Sequence, residues 1–186
     1  IATLVGVVKF SPCEQSFWST PDQYVHACYS DIPALYGERE LDDDRWSYSS
    51  TTNAVEYPVL TGTVMWFFAR IIPDGDNEML NYYRVNQIFL AGLFVFIAFI
   101  VYRIRPEFAY LSAIAPAAIA SLYINWDLWA IASMMLSIYW FDRKKYTHSA
   151  LAIGISISTK FLPIFLLLPI ALILWRRNEI KELARY

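Results

Sequence analysis

Charged residues are scarce in this sequence. They make up 17% of its 186 residues, whereas about a quarter is usual for a soluble domain. The shortage is uneven, because residues 85–102 and residues 108–126 contain no charged side chain at all. Each of these runs is long enough to cross a hydrocarbon core of about 30 Å. The composition therefore argues against an ordinary soluble domain and predicts a multi-span membrane protein.

Histidine is equally rare, with two residues in the chain. His26 and His148 lie far apart and have no ligand partners at metal-binding spacing. The sequence also lacks a glycine-rich phosphate loop and a nucleophile motif. We therefore predict no metal, no cofactor and no soluble nucleotide site. Basic residues form no block dense enough to indicate a nucleic-acid partner.

The chain has only two cysteines, Cys13 and Cys28. Both lie in the polar stretch of residues 9–56, so a single intramolecular pairing exists. A disulfide between them is expected if this stretch lies outside the cytoplasm. Two unrelated free thiols are the alternative.

The pattern of polar and apolar stretches predicts an all-α fold, a polytopic bundle of transmembrane helices with a long extracytoplasmic loop that carries short surface helices. Along the chain we expect the end of a truncated first membrane helix (residues 1–8), the extracytoplasmic loop (9–56), a re-entrant or interfacial helix or short span (57–73), transmembrane helices (85–175) and a cytoplasmic loop (176–186). The membrane helices are expected over residues 85–102, 108–123, 128–141 and 148–175. Pro163 removes a backbone donor and clashes with the preceding turn, so the last of these should break near it.

Basic side chains set the expected orientation. Arg103, Arg105 and the run of residues 143–145 follow apolar stretches, and the positive-inside rule places such residues in the cytoplasm. The turn between the second and third expected spans then lies outside. The polar loop joins it there only if residues 57–73 do not cross, so we favour a re-entrant or surface helix for that segment. In this arrangement Asp31, Asp127 and Lys160 collect on one side of a plasma membrane.

Asp31 is the candidate catalytic base. It is the single acidic residue of a stretch rich in aromatic and hydroxyl side chains, residues 28–36. An acceptor hydroxyl needs a base within hydrogen-bond reach, and Pro33 restrains the backbone just after this carboxylate. The alternative is an exposed acidic loop residue without a chemical role.

Two further charges lie where apolar runs should exclude them. Lys160 is the one charged residue between Tyr146 and Trp175, and a cation there favours an anion such as a lipid phosphate; snorkelling to the headgroups without a specific partner is the alternative. Asp127 lies flush with an apolar run, where it could orient a sugar hydroxyl or a metal, pair with Lys160, or simply cap the next helix.

Four blocks of the sequence together resemble a known family. They are CYSDIPALY (28–36), EYPVLTG (56–62), INWDLWA (124–130) and STKFLPIFLLLP (158–169). In this order they resemble actinobacterial polytopic glycosyltransferases of the GT-C class, specifically the family 87 mannosyltransferases that use polyprenyl-phosphate mannose. The resemblance covers most of the chain and corresponds to roughly the N-terminal half of such enzymes.

The resemblance implies an inverting transfer of a sugar from a polyprenyl-phosphate donor to a lipid or glycan acceptor of the cell envelope, on the extracytoplasmic face. It maps the catalytic base onto Asp31 and the donor-phosphate cation onto Lys160. Asp127 and the loop aromatics would position the sugars. The positioning residues are then Asp127, Asn125, Tyr29 and Tyr36. A membrane transporter and a non-catalytic membrane assembly subunit are the alternative functions.

Overall fold

A computed structural model describes residues 1–43, 45–73 and 75–186. All regular structure within these ranges is helical, which confirms the predicted all-α class. The α-helices are α1 (Ala2–Gln15), α2 (Asp22–Val25), α3 (Asp31–Glu38), α4 (Val59–Arg70), α5 (Glu78–Ile104), α6 (Ala109–Ile114), α7 (Pro116–Ser121), α8 (Asp127–Asp142), α9 (Tyr146–Thr159) and α10 (Leu167–Arg176). Short 3-10 segments cover Pro106–Phe108, Leu162–Leu166 and Ile180–Arg185.

Helix α5 is the long central element. Its 27 residues extend over about 40 Å at 1.5 Å per residue and include the whole of the first predicted span. Only 22% of its most apolar stretch is buried within the molecule, so most of this surface faces outward, unlike the core helix of a soluble protein. Among the described residues, α5 is the one helix long and apolar enough to cross a membrane.

The other predicted spans are short or interrupted. The third forms α8, whose 16 residues cover about 24 Å, less than a hydrocarbon core of about 30 Å. The second, residues 108–123, was predicted wrongly as one helix, because the chain forms α6 and α7 with an extended residue, Ala115, between them. Pro116 explains the break, since proline lacks a backbone donor and disfavours helical geometry in the residue before it.

The boundary near the N-terminus also differs from the prediction. Helix α1 does not end at Val8 but continues to Gln15 with Pro12 inside it. Its buried residues Phe10 and Cys13 pack into the main core, and this tertiary contact offsets the local effect of the proline. The irregular part of the polar stretch therefore begins at Ser16.

Helices α8 and α9 form an antiparallel hairpin joined through buried serines. The Ser137 and Ser149 hydroxyls lie 3.0 Å apart, and Ser156 donates to the carbonyl of Ala130 at 2.7 Å. Small residues allow two helices to approach closely in this way. Helix α9 ends at Thr159, Lys160 is extended, and Pro163 opens the 3-10 segment Leu162–Leu166, so the predicted break lies where it was expected.

The chain then turns back toward the start of α9. Leu174 of α10 packs in a small core with Phe141 and Tyr146, and Lys144 forms an ion pair with Glu179 at 2.9 Å. Basic residues from three connections meet at this end. Arg143 donates to the Arg103 carbonyl at 3.5 Å, and the Arg177 guanidinium lies 5.6 Å from the ring of Phe141. We call this the basic end of the molecule; α8 separates it from Asp127.

Helix α4 lies near the opposite end. It has 12 residues and covers about 18 Å. Tyr57, just before it, contacts Asp31, and the chain after it returns to Glu78, which contacts Tyr36 of α3. Both flanks of α4 therefore lie beside α3, a placement compatible with the favoured interfacial or re-entrant helix.

Cys13 and Cys28 form a disulfide that joins α1 to the segment before α3. Both residues are fully buried, and the nearby Trp18 indole donates to the Cys28 carbonyl at 3.1 Å. The two cysteines are 15 residues apart. A cross-link of this span lowers the entropy of the unfolded chain, which should stabilise the folded protein by about 3 kcal/mol.

We expect Cys13→Ser to lower the melting temperature clearly, and the double variant Cys13→Ser/Cys28→Ser to melt close to the single one, since both lack the same cross-link. The reference is the melting temperature of the parent protein, with both cysteines intact, in the same detergent. Non-reduced peptide mass spectrometry of protein from its own membrane gives the direct check, and two freely alkylatable thiols there would contradict the pairing.

Candidate functional site

Asp31 is held in place by the start of α3. Ser30 precedes it as the helix N-cap, and its hydroxyl accepts from the Ile32 amide at 3.2 Å. The same hydroxyl donates to the Tyr123 carbonyl at 2.8 Å, and the Asp31 amide donates to the Ile124 carbonyl at 2.8 Å. A carboxylate in the first turn is also favoured by the helix dipole. The two hydrogen bonds to Tyr123 and Ile124 fix the position of Asp31 relative to the turn that precedes α8.

Asp31 is half-buried, and the hydroxyls of Tyr57 and Tyr29 lie beside its carboxylate. Tyr57 donates to its Oδ2 at 3.2 Å. Burial of Tyr57, followed by the charge and hydrogen bond of Asp31 and then the charge of Asp127, raises the pKa of this phenol well above its usual value. Burial, and then a hydrogen bond with Asp31, raises the pKa of Tyr29 to about 12. Both phenols therefore stay protonated at neutral pH and act as donors toward Asp31.

Trp126 connects this carboxylate to α8. Its buried ring lies edge-on to Tyr57 with centroids 5.9 Å apart, and its indole donates to Asn86 Oδ1 of α5 at 2.7 Å. The next residue, Asp127, begins α8. Asn125 Oδ1 accepts from the Asp127 amide at 3.1 Å. The Asn125 side chain therefore helps to stabilise the start of α8, a role that Asp127 does not fill alone.

Lys160 forms an ion pair with Asp127: its Nζ contacts Asp127 Oδ1. Both side chains are 37% exposed, so the pair can be reached from outside. Thr61 of α4 donates to the Thr159 carbonyl at 2.7 Å and thereby anchors the extended segment next to the lysine. A lysine ammonium has three donors, and this pairing with Asp127 leaves donors for a further anion.

Apolar cavities adjoin the ion pair. One of about 110 Å³ lies between Lys160, Asp127 and the side chains of Met134, Leu162 and Pro163. A second of about 290 Å³ runs between α5, α7 and α8, with Asp127 and Asn125 at its polar end. Asp127 and Ile131 line both cavities, so an apolar path adjoins the charged groups.

The structure thus brings Asp31, Asp127, Asn125 and Lys160 to one end of the molecule, opposite the basic end. Tyr29 joins them through Asp31, but Tyr36 does not. The Tyr36 side chain is buried, its ring stacks on Tyr82 with centroids 4.6 Å apart, and its hydroxyl lies 3.4 Å from Glu78. Tyr36 follows Asp31 by five residues, which places it about 140° around the helix axis, so its packing position does not support substrate positioning.

Tyr57 is the site residue that sequence reasoning missed. It precedes an apolar helix whose placement was open, and no spacing rule connects it with a carboxylate 26 residues earlier. The available signal was its position within the block EYPVLTG, directly before Pro58. Thr61 was missed for the same reason.

We find no cluster of three or more His, Cys, Asp or Glu side chains that could hold a metal ion within the described ranges. No protein-family model, curated protein or solved structure matches the chain.

Proposed function

We propose that the protein is a membrane glycosyltransferase that moves a sugar, mannose in the first instance, from a polyprenyl-phosphate donor to an acceptor hydroxyl of the cell envelope. The observation that carries the proposal is the convergence of a tyrosine-bound carboxylate, Asp31, with an accessible Lys160–Asp127 ion pair. A base and a cation at one end of the molecule are the two charges that such a transfer requires.

In the proposed reaction Asp31 accepts the proton of the acceptor hydroxyl. The acceptor oxygen then forms its bond to the anomeric carbon while the bond from that carbon to the donor phosphate oxygen breaks. Attack opposite the leaving group inverts the anomeric configuration. Lys160 stabilises the negative charge that develops on the departing polyprenyl phosphate, and Asp127 holds the lysine in position.

The apolar cavities support a lipid-linked donor. A phosphate at Lys160 would lie at the 110 Å³ cavity. This cavity shares Asp127 and Ile131 with the 290 Å³ cavity, whose walls include Phe94, Ile97 and Leu128 and could take the prenyl chain. Ligand sites of this kind combine apolar walls with a few polar groups that fix orientation. A sugar nucleotide has no comparable apolar portion, so this lining favours the lipid donor.

The distribution of charge supports a site on the extracytoplasmic face of the plasma membrane. The basic end carries Arg103, Arg143 and Arg177, the residues that the positive-inside rule assigns to the cytoplasm. The Asp31 end carries the Cys13–Cys28 disulfide, a bond that persists in oxidising compartments. The outward-facing apolar surface of α5 supports membrane insertion.

Single cysteines placed at the two ends should distinguish the orientation. The native cysteines are paired, so an added thiol is the reactive one. We expect Asp42→Cys, in an exposed part of the polar stretch, to react with an impermeant maleimide on intact cells, and Lys145→Cys at the exposed basic end to react only after permeabilisation. The reverse labelling pattern would contradict the orientation.

The Lys160–Asp127 pair also fits the second candidate, a transporter with an ion pair on its substrate path. The two proposals differ at Asp31, which a transferase needs for chemistry. A transporter should keep substrate flux when Asp31 is replaced by asparagine, whereas it should lose flux when Lys160 is replaced by methionine.

Donor specificity tests the proposed function. Membranes that contain the protein should transfer radiolabel from polyprenyl-phosphate mannose to an endogenous acceptor, and membranes from the same host without the protein should not. GDP-mannose, supplied with the polyprenyl-phosphate mannose synthase inhibited, should give no transfer. Equal transfer with and without the protein would contradict the proposal.

A further inference from the structure

A third cavity lies near the start of α3. It measures about 330 Å³ and lies between the disulfide-linked segment, α3 and the first turn of α5. Its walls include Phe17, Tyr24, Tyr29, Gln23 and Glu38. We call it the aromatic groove. None of the roles proposed above for the site residues places a ligand in it.

Two aromatic side chains of the groove are largely exposed to solvent. Tyr24 is 63% and Phe17 50% exposed, and the rings of Tyr24 and Tyr29 are nearly parallel, with an interplanar angle of 9° and centroids 6.2 Å apart. The electron-rich face of an aromatic ring attracts the weakly positive C–H groups of a pyranose ring.

Polar groups beside these rings fit hydroxyl-rich ligands. Glu38 forms no ion pair within the ranges that the structure describes, so its carboxylate can accept hydrogen bonds, and the Gln23 amide offers both a donor and an acceptor. An anionic lipid headgroup would be repelled by Glu38. The lining therefore favours a neutral carbohydrate over a membrane surface.

The groove is also rigidly supported. Phe17 and Trp18 adopt left-handed backbone angles, with φ of 50° and 52°, immediately after the disulfide-bonded end of α1. Trp18 is buried against Tyr83 with ring centroids 4.4 Å apart, which fixes the loop that presents Phe17. A preformed binding surface loses less conformational entropy when a ligand docks.

Tyr29 connects the groove with the candidate base. Its ring forms part of the wall, and it precedes Asp31 by two residues, with its hydroxyl beside that carboxylate. The groove therefore lies next to the candidate base. We infer that the aromatic groove binds the sugar residues of the acceptor, and that the acceptor is a glycan chain whose terminal hydroxyl is presented to Asp31; this inference rests on the proposed function.

The test is binding of mannotetraose, measured by saturation-transfer NMR on the intact protein in detergent, without donor. Tyr24→Ala should weaken binding about tenfold, the effect of losing one ring contact of about 1.4 kcal/mol. Tyr24→Phe keeps the ring and should bind like the parent. Tyr110→Ala is the matched control, because Tyr110 is 62% exposed and lies in α6, away from the groove.

A second arm measures the KM for mannotetraose as acceptor, with polyprenyl-phosphate mannose as donor. A parallel rise of Kd and KM in Tyr24→Ala supports the inference. Absence of binding by the parent, or equal binding by the parent and Tyr24→Ala, overturns it, even where transfer to other acceptors shows that the proposed function holds. Tyr24-dependent binding without transfer from any polyprenyl-phosphate sugar supports the carbohydrate site and overturns the acceptor role together with the proposed function.

Discussion

Asp31→Asn should lower the rate of sugar transfer by about 100- to 10,000-fold, the usual contribution of a general base. Asparagine keeps the shape of the side chain and can still accept the Tyr57 hydrogen bond, but it cannot take a proton from the acceptor. The Ser30 cap, the bond from the Ser30 hydroxyl to the Tyr123 carbonyl and the bond from the Asp31 amide to the Ile124 carbonyl do not involve the carboxylate. The variant should therefore fold normally and bind the lipid donor like the parent.

The measurement is a transfer assay on purified protein beside a binding assay for the lipid donor. Asp42→Asn is the matched control, because Asp42 is exposed and has no assigned contact with the site, and it should leave the rate unchanged. Turnover by Asp31→Asn within a few-fold of the parent would remove Asp31 as the base and leave Asp127 as the next candidate.

Lys160→Met should lower turnover by about 100- to 1,000-fold, as is usual when a group that stabilises developing charge is removed. Methionine preserves much of the apolar stem of lysine and lacks its charge. The variant leaves Asp127 unpaired, but that side chain is 37% exposed and water can solvate it, so folding should survive. Lys160→Arg should keep part of the activity, because the charge remains while the donor geometry changes.

The chain offers a matched control for this substitution at its other end. Lys144 also pairs with a carboxylate, Glu179, at 2.9 Å. Lys144→Met removes an equivalent ion pair from the basic end and should not alter turnover. If Lys160→Met were as active as Lys144→Met, the phosphate role of Lys160 would be wrong.

The sequence predicts those parts of the fold that depend on local chemistry. A proline just after a lysine in an uncharged stretch indicates the break at Lys160, and uncharged runs indicate apolar helices. Pro116 breaks a helix by the same local effect as Pro163. The break was missed because the residues around Pro116 are small and apolar and fit a continuous helix. Some features depend on tertiary contacts that override local preference, and the sequence does not show them. An example is the continuation of α1 past Pro12, which the burial of Phe10 and Cys13 stabilises.

The candidate site follows a similar division. Asp31, Asp127 and Lys160 are charges beside apolar or aromatic stretches, so each is visible in the sequence, and the positive-inside rule already places them on one side. Their neighbours are not visible, because the Tyr57–Asp31 bond depends on how the segment before α4 lies against the start of α3. Tyr36 was predicted with the other loop aromatics to position the sugars, but its ring is buried against Tyr82, about 140° around the α3 axis from Asp31.

The most direct test of the account compares transfer from radiolabelled polyprenyl-phosphate mannose in three membrane preparations, containing the parent, Asp31→Asn or Asp42→Asn at equal protein levels. We predict labelled product of inverted anomeric configuration from the parent and from Asp42→Asn, and almost none from Asp31→Asn. Equal labelling in all three preparations, or product that retains the donor's anomeric configuration, would contradict a single displacement assisted by Asp31.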